Sequence, residues 1–221
     1  VLDHASHRPG APVTEAWPLE PFPERRGLYT QTKLQAERIV LDAVRERGLD
    51  AVILRPGQIF GPGASNFTPS GAIALVGRWW ICGSGRATLP LVFVEDVVDA
   101  LLLAAETRVA PGSIFHLVDP TPVTQRDWVA ACRRRFGSAI RVHYVPRFLL
   151  MLAACGVASL GKLLGRDLPL SPYRIRSLRP LSGLDCSAAA NLLGWRPRTG
   201  VRRGLDLTFA APDPPCHASS G

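Results

Sequence analysis

The stretch Leu28-Tyr29-Thr30-Gln31-Thr32-Lys33-Leu34-Gln35-Ala36-Glu37 constrains this chain more than any other. It opens a run in which Ala36, Ile39, Val40, Ala43 and Val44 recur at helical spacing, with Glu37, Arg38, Asp42, Arg45 and Glu46 between them. The helix is expected to run to about Arg47, because Gly48 is a natural C-terminal stop. Tyr29 and Lys33 stand four apart on it, so their side chains share one face. A free tyrosine has a pKa of ~10 and is a poor base at neutral pH. An ammonium group beside a tyrosine favours the phenolate. Such a pair can pass a proton to or from a hydroxyl or carbonyl oxygen. The spacing alone also occurs on solvated helix faces, so its meaning depends on what surrounds it.

Downstream, residues 51–54 read as a short apolar strand ended by Arg55-Pro56-Gly57. A helix, a glycine stop and a buried strand make one αβ step of a parallel sheet. Phe60-Gly61-Pro62-Gly63-Ala64-Ser65 is a turn-rich loop at the carboxyl end of that strand, where open α/β sheets bind ligands. Farther on, the pattern predicts helices over 70–76, 97–106, 128–136 and 187–193, and strands over 79–82, 91–94, 113–118 and 139–145. Glu95 or Asp96 is placed to cap the second of these helices. Thr124-Gln125-Arg126-Asp127 is a capping-box-like start for the third, with Asp where Glu or Gln is usual. Residues 1–27 hold five prolines and read as a loop. Residues 210–221, rich in Pro and Ser, read as a disordered tail.

Three further motifs follow the Tyr29 helix. They are Ala51-Val52-Ile53-Leu54-Arg55-Pro56-Gly57-Gln58-Ile59-Phe60-Gly61-Pro62-Gly63, then Leu91-Val92-Phe93-Val94-Glu95-Asp96-Val97-Val98-Asp99-Ala100, then Asn191-Leu192-Leu193-Gly194-Trp195-Arg196-Pro197. In this order and spacing the chain resembles the extended short-chain dehydrogenase/reductases, the NAD-dependent epimerase/dehydratase group. The wording is most similar to the 3β-hydroxysteroid dehydrogenase-like branch. The resemblance covers roughly residues 1–208.

The resemblance implies a site. Tyr29 would be the catalytic acid/base. Lys33 would hold the nicotinamide ribose hydroxyls of NAD or NADP and favour the ionised tyrosine. Pro56, Gly57 and Ile59 would meet the cofactor, and Gln58 would face the substrate. The family's serine or threonine belongs just before residue 1. Ser6 stands 23 residues before Tyr29 but lies beyond the Val1-Leu2-Asp3 match. The Asp96 motif would be structural, its carboxylate capping a helix and pairing with an arginine such as Arg55. Nucleotide-sugar members carry a phosphate-gripping arginine just before that motif. Leu89-Pro90-Leu91 stands here instead, and Arg86 is the nearest substitute among substrate-binding candidates. That replacement favours an apolar or uncharged alcohol or ketone.

The family opens with a strand and GxxGxxG at a helix N-terminus, where backbone N–H groups receive the pyrophosphate. Gly61-Pro62-Gly63 and Gly83-Ser84-Gly85 lack the strand, third glycine and helix. The chain is therefore expected to be the C-terminal portion of such an enzyme, inactive alone. The missing part would be about four βα steps of roughly 30 residues each. The expected fold is α/β, the C-terminal part of a doubly wound parallel, Rossmann-type sheet with a small mixed substrate domain. Residues 1–60 would be the tail of the NAD(P)-binding domain, and 61–209 mainly the substrate domain, with segments returning to the sheet.

Composition narrows the partners. With 47% hydrophobic and 20% charged residues the chain reads as globular. Its net charge of +8 comes almost entirely from arginine, concentrated after residue 130. There is no basic–aromatic interleaving, so a nucleic-acid binder is not supported. Cysteines 82, 132, 155, 186 and 216 form no CxxC, and the five histidines are scattered, so no metal site is expected. The odd, scattered cysteines suggest a reducing, cytoplasmic setting. Residues 148–161 carry no charge but are too few to span a bilayer, which takes about 20. A packed or interfacial helix fits, so the reading admits peripheral membrane contact through 148–165, and also a homodimer. The expected function is NAD(P)-dependent oxidoreduction of a hydrophobic, sterol-like secondary alcohol or ketone. The alternatives are a nucleotide-sugar epimerase/dehydratase and a non-catalytic NAD(P)-binding relative.

Overall fold

The computed structural model describes residues 1–7, 10–163 and 171–210. Its first segment is more ordered than a loop. Leu2 bridges to Leu19 and Val13 to Leu184, and α1 (Pro23–Arg26) forms one helical turn. Gly27, with φ 104°, lets the chain change direction before α2 (Leu28–Arg47). α2 ends as expected at Gly48, which is left-handed (φ 65°) and returns its N–H to the carbonyls of Ala43 and Val44. The apolar stripe is only partly covered: Val40, Ala43 and Val44 are half-buried and Ile39 is exposed.

The next strand changes partner midway. β1 (Ile53–Pro56) pairs in parallel with β6 (Ile114–Leu117), and β2 (Gln58–Phe60) pairs in parallel with β5 (Leu91–Phe93). Gly57 is the pivot: its N–H donates to the Leu117 carbonyl at 3.0 Å, and the Gln58 N–H donates to the Pro90 carbonyl at 2.6 Å. A Cβ at position 57 would stand 2.2 Å from the Pro90 oxygen. The close approach, not a positive φ, demands glycine there.

β3 (Ala72–Leu75) and β4 (Arg78–Cys82) form an antiparallel hairpin, and β7 (Arg141–Val145) adds in parallel to β4. The expected helix over 70–76 is thus a strand. Ala72 to Leu75 favours helix locally, but Val76 (φ 50°) and Gly77 (φ 66°) make a tight turn that lays it against Trp79, Trp80 and Ile81. Cross-strand packing overrides helix propensity.

The remaining α-helices are α3 (Val94–Glu106), α4 (Gln125–Phe136), α5 (Arg147–Leu163), α6 (Pro172–Ser177) and α7 (Gly200–Ala210), and the expected helix over 187–193 is present with a π-turn over Ala189–Leu193. α4 has the capping box that its sequence promised: Thr124 Oγ1 accepts from the Asp127 N–H, and Asp127 Oδ2 accepts from the Thr124 N–H. α5 takes in nearly all of the interfacial stretch; residues 164 and 165 lie outside the described residues. Of the expected tail, Ala210 closes α7 and 211–221 lie outside the described residues.

Asp96 departs from expectation. α3 has Phe93 at its N-cap and no side-chain cap. The Asp96 carboxylate serves the far end of the chain, accepting from the N–H groups of Arg198 (2.8 Å), Thr199 (2.9 Å) and Gly200 (3.1 Å). Trp195, buried, donates its Nε1–H to the Asp96 carbonyl at 2.8 Å. Asp119 Oδ2 takes the next N–H, that of Val201, at 2.7 Å. Two buried carboxylates therefore seat the first turn of α7. Asp96 does not pair with Arg55, which has another partner. Around this joint lie two apolar clusters, one holding Phe60, Phe93 and Trp128, the other Phe115, Leu117 and Trp195.

Candidate active site

Tyr29 sits in the first turn of α2 with 73% of its surface exposed. Lys33, one turn on and also exposed, holds its Nζ 5.9 Å from the centre of the Tyr29 ring. Among the described residues neither side chain is tied up: the Tyr29 hydroxyl has no intramolecular hydrogen bond and Lys33 has no carboxylate partner. Thr30 between them is buried and turns the opposite face of the helix inward.

One further turn along, Glu37 plays a part that sequence reasoning does not reveal. Its carboxylate receives a two-pronged fork from Arg55, Nη2 to Oε1 at 2.5 Å and Nε to Oε2 at 3.0 Å. The third arm of Arg55, Nη1, donates to the Glu15 carbonyl at 3.0 Å. Burial pushes the Glu37 carboxyl up, but the Arg55 hydrogen bonds and charge outweigh it and hold the group below its ordinary value. Arg55 belongs to β1 and immediately precedes Pro56. The fork therefore fixes the Tyr29–Lys33–Glu37 face of α2 against the carboxyl end of β1. A signal is present in the sequence, since Glu37 follows Tyr29 at i+8 and Lys33 at i+4.

At the strand end, Pro56 and Gly57 are half-buried and the Ile59 side chain is 47% exposed. Gln58 is engaged within the chain. Its Nε2 donates to the Thr68 carbonyl at 3.3 Å and its Oε1 accepts from the Ser70 N–H at 2.9 Å. The amide braces the loop between β2 and β3. Arg86 is not brought to this cluster. It lines a different cavity, with Arg147, Arg179 and Gln125. Ser6 is exposed in a turn whose N–H groups, those of Ala5 and Ser6, donate to Asp3 Oδ1.

The start of α2 is held by a group that carries no motif. Glu20 is a buried carboxylate. It pairs with Arg26 at 3.2 Å, accepts from the Phe22 N–H at 3.1 Å and takes the hydrogen bond of the Tyr173 hydroxyl. Burial, and then that hydrogen bond to Glu20, push the Tyr173 hydroxyl far above its ordinary value. Tyr173 is thus a structural tyrosine next to α1, while Tyr29 stands open to solvent. His116 is fully buried, and burial pushes its imidazole down. Among the described residues no three His, Cys, Asp or Glu side chains gather as a metal would need, and no helix is long and apolar enough to cross a membrane.

The chain is similar to known proteins. Residues 5–117 match the NAD dependent epimerase/dehydratase family. The decarboxylating sterol-4-alpha-carboxylate 3-dehydrogenase of Saccharomyces cerevisiae is 28% identical over 212 residues, 89% of this chain and 59% of that protein. A 3beta-hydroxysteroid-dehydrogenase/decarboxylase of Arabidopsis thaliana is 28% identical over 201 residues, 85% of this chain and 46% of that protein. The chain spans about half the length of these relatives. Among solved structures, gox2253 superposes with TM-score 0.72 at 21% identity, covering 94% of this chain and 62% of the other. The UDP-glucuronic acid 4-epimerase of Bacillus cereus, solved with UDP-glucuronic acid and NAD, gives 0.60 at 17% identity, covering 95% and 58%. These superpositions establish the fold as α/β of the Rossmann type, with the parallel pairs β1–β6 and β2–β5 as part of it. With the family match spanning half its length and the Tyr29 helix inside it, the chain belongs to the NAD dependent epimerase/dehydratase family.

Proposed function

We propose that this chain is part of an NAD(P)-dependent oxidoreductase that interconverts a hydrophobic secondary alcohol and its ketone. The observation that carries the reading is the Tyr29–Lys33 pair: an open phenol and an open ammonium, side by side on one helix face, neither with a hydrogen-bond or carboxylate partner among the described residues. Lys33, with its three N–H donors uncommitted, suits the hydroxyls of a ribose. Nicotinamide, when bound, supplies the hydride chemistry. Tyr29 Oη takes the proton from the alcohol, or returns it to the carbonyl oxygen. Pro56, Gly57 and Ile59, held by the Arg55–Glu37 fork, are the residues of the strand end that would line the cofactor. Residues 1–60 then belong to the cofactor domain and 61–209 mainly to the substrate domain.

Three observations support a hydrophobic substrate. The relatives in yeast and Arabidopsis are named as sterol and hydroxysteroid dehydrogenases. Leu89-Pro90-Leu91 stands where nucleotide-sugar members carry arginine, and Leu89 and Leu91 are buried in the cluster with Phe60 and Trp128. α5 exposes Phe148 and Leu152, which also supports peripheral contact with a membrane that stores such substrates. Burying apolar surface favours binding by about 25 cal/mol per Å². The test is a substrate screen of the full-length protein with NAD⁺ and NADP⁺, following the reduced nicotinamide. Oxidation of hydrophobic alcohols without turnover of UDP- or dTDP-sugars is expected. Turnover of a nucleotide sugar, with no hydrophobic alcohol oxidised, would overturn the reading in favour of an epimerase.

A further inference from the structure

We propose that the tip of the β3–β4 hairpin, with the arginines around it, docks the protein on an acidic phospholipid surface. This rests on the membrane contact proposed above for a hydrophobic substrate, and it names the headgroup charge and the element that inserts. It involves neither α5 nor the Tyr29 site. Two aliphatic side chains stand at the tip, Leu75 at 59% and Val76 at 87% exposure. Three arginines lie beside them. Arg78 pairs with Leu75 across the hairpin, and Arg141 pairs with Arg78 across β4 and β7. Arg78, Arg141 and Arg133, from the last turn of α4, line one open hollow of about 550 Å³. Arg133 and Arg141 are exposed, and Arg78 Nη1 lies 3.3 Å from His143 Nε2. Among the described residues none of the three has a carboxylate partner. A second hollow of about 550 Å³ shares Arg133 and adds Arg126 and Arg134.

The choice of partner follows from charge and from side-chain type. Residues 51–94 and 128–166 contain no Asp or Glu. These ranges take in β3, β4, β7 and all of α4 beyond Asp127, so no carboxylate from them offsets the arginines. Arg133 also complements the negative end of α4, but Arg78 and Arg141 stand on strands, where that preference is absent. Cations gathered without anions attract a negatively charged surface. A nucleic acid would satisfy the arginines but offers nothing to Leu75 and Val76. An acidic bilayer accepts both, taking apolar side chains into the acyl boundary and guanidinium groups at its phosphates. The turn supplies an observation independent of charge. Val76 and Gly77 have φ of 50° and 66°, and Leu75 pairs directly with Arg78 around them. In a two-residue hairpin turn of this hand the first position ordinarily takes Asn, Asp or Gly. A β-branched residue at positive φ is an outlier. The chain therefore holds an aliphatic side chain outward where local structure disfavours it, and its exposure means that the interior gains nothing from it. An apolar contact outside the chain is what Val76 can serve. The strands beneath are braced, since Trp80 stacks on His143 with ring centres 4.6 Å apart.

The experiment sediments the full-length protein with vesicles of phosphatidylcholine alone and of phosphatidylcholine with about 30% phosphatidylserine. Binding to the acidic vesicles is expected to be about tenfold tighter than to the neutral ones, and to weaken as sodium chloride is raised. Val76→Asn should weaken it about tenfold, because the inserted side chain is lost. The same change supplies a residue that the turn prefers, so the thermal midpoint should hold or rise. Arg78→Gln, Arg133→Gln and Arg141→Gln should each lower affinity for acidic vesicles about fivefold. Absence of binding to the acidic vesicles overturns the proposal. So does a Val76→Asn protein that binds them as well as the parent does. Equal binding to both kinds of vesicle, abolished by Phe148→Ser and not by Val76→Asn, overturns it and leaves membrane contact through α5 standing. Tighter binding to a duplex oligonucleotide than to acidic vesicles, unaltered by Val76→Asn, overturns it in favour of a nucleic acid. Vesicle binding as expected, in a protein that oxidises no hydrophobic alcohol, upholds the docking surface and overturns the substrate reading alone.

Discussion

Two helix starts in this chain are built from motif residues, and they are opposites. At the start of α7, Asp96 and Asp119 are 1% and 6% exposed, and the two carboxylates accept four backbone N–H groups between Arg198 and Val201. At the start of α2, Tyr29 is 73% exposed and its hydroxyl has no hydrogen-bond partner among the described residues. The first arrangement leaves no capacity for a ligand, and the second leaves all of it. Ionisable residues in a motif can therefore be sorted by their partners: full internal satisfaction marks a joint, and an unclaimed polar group on a fixed frame marks chemistry. Arg55 and Glu37 stand between the two cases, satisfied themselves so that Tyr29 and Lys33 can remain free.

The comparison is tested most sharply at Tyr29. In the full-length protein Tyr29→Phe should lower turnover about 10²–10⁴-fold, the usual contribution of a positioned acid/base. The same change should leave the unfolding free energy within about 0.5 kcal/mol, because an exposed hydroxyl without partners is removed. Asp96→Ala should behave in reverse. It strands three N–H groups at the start of α7 and is expected to lower stability by about 3 kcal/mol in urea titration. A Tyr29→Phe enzyme at near-normal turnover, or a fully stable Asp96→Ala, would break the sorting rule.

The fork between the two regions has a pH signature. The folded-state pKa of Glu37 is depressed, with Arg55 outweighing burial. A carboxylate of this kind stabilises fully above its unfolded pKa of about 4.3, and the contribution disappears as pH falls through the folded value. Stability should therefore decline below about pH 4.5, and Glu37→Gln should show a shallower decline over that range. Equal slopes in the two proteins would mean that Glu37 is not linked to folding.

Much of this frame is legible in the sequence, for identifiable reasons. α2, its Gly48 stop and the α4 capping box rest on local rules that act within one or two turns. The β3 strand of the hairpin reads as a helix in sequence because its stability lies in pairing with Trp79, Trp80 and Ile81, which local propensity does not encode. Asp96 is recognisable as structural, yet its partners lie over a hundred positions away in sequence, at 198–200. For the candidate site, the pair Tyr29 and Lys33 is legible from spacing. The Glu20–Tyr173 lock is not, because a buried carboxylate and a tyrosine so far apart carry no shared pattern. Gln58 can be assigned to the strand end from its motif, but only three dimensions reveal that its amide holds Ser70 and Thr68.

The smallest effect refines the rule by separating exposure from partner count. Asp127 is exposed like Tyr29 and Thr124 is half-buried, but the two are reciprocally bonded: Thr124 Oγ1 takes the Asp127 N–H at 3.2 Å, and Asp127 Oδ2 takes the Thr124 N–H at 2.9 Å. The Thr124 hydroxyl, which donates to Asp127 Oδ2 at 2.6 Å, and then the Thr124 N–H hold the Asp127 carboxyl below its ordinary value. If exposure decided a residue's role, Thr124→Ala would be neutral. If partner count decides, the change removes the acceptor for one of the orphan N–H groups at the start of α4 and should reduce stability by about 1 kcal/mol. Thr124→Ser keeps the oxygen and should recover most of that loss. The helix matters to the interior because Trp128 and Cys132, one and two turns along, are fully buried in the cluster with Phe60 and Phe93. Fraying of the first turn would loosen Trp128 first, so its fluorescence should report the Thr124→Ala change before far-ultraviolet circular dichroism does. An unchanged unfolding midpoint with unchanged tryptophan fluorescence would show that exposure, and not partner count, governs the surface of this fold.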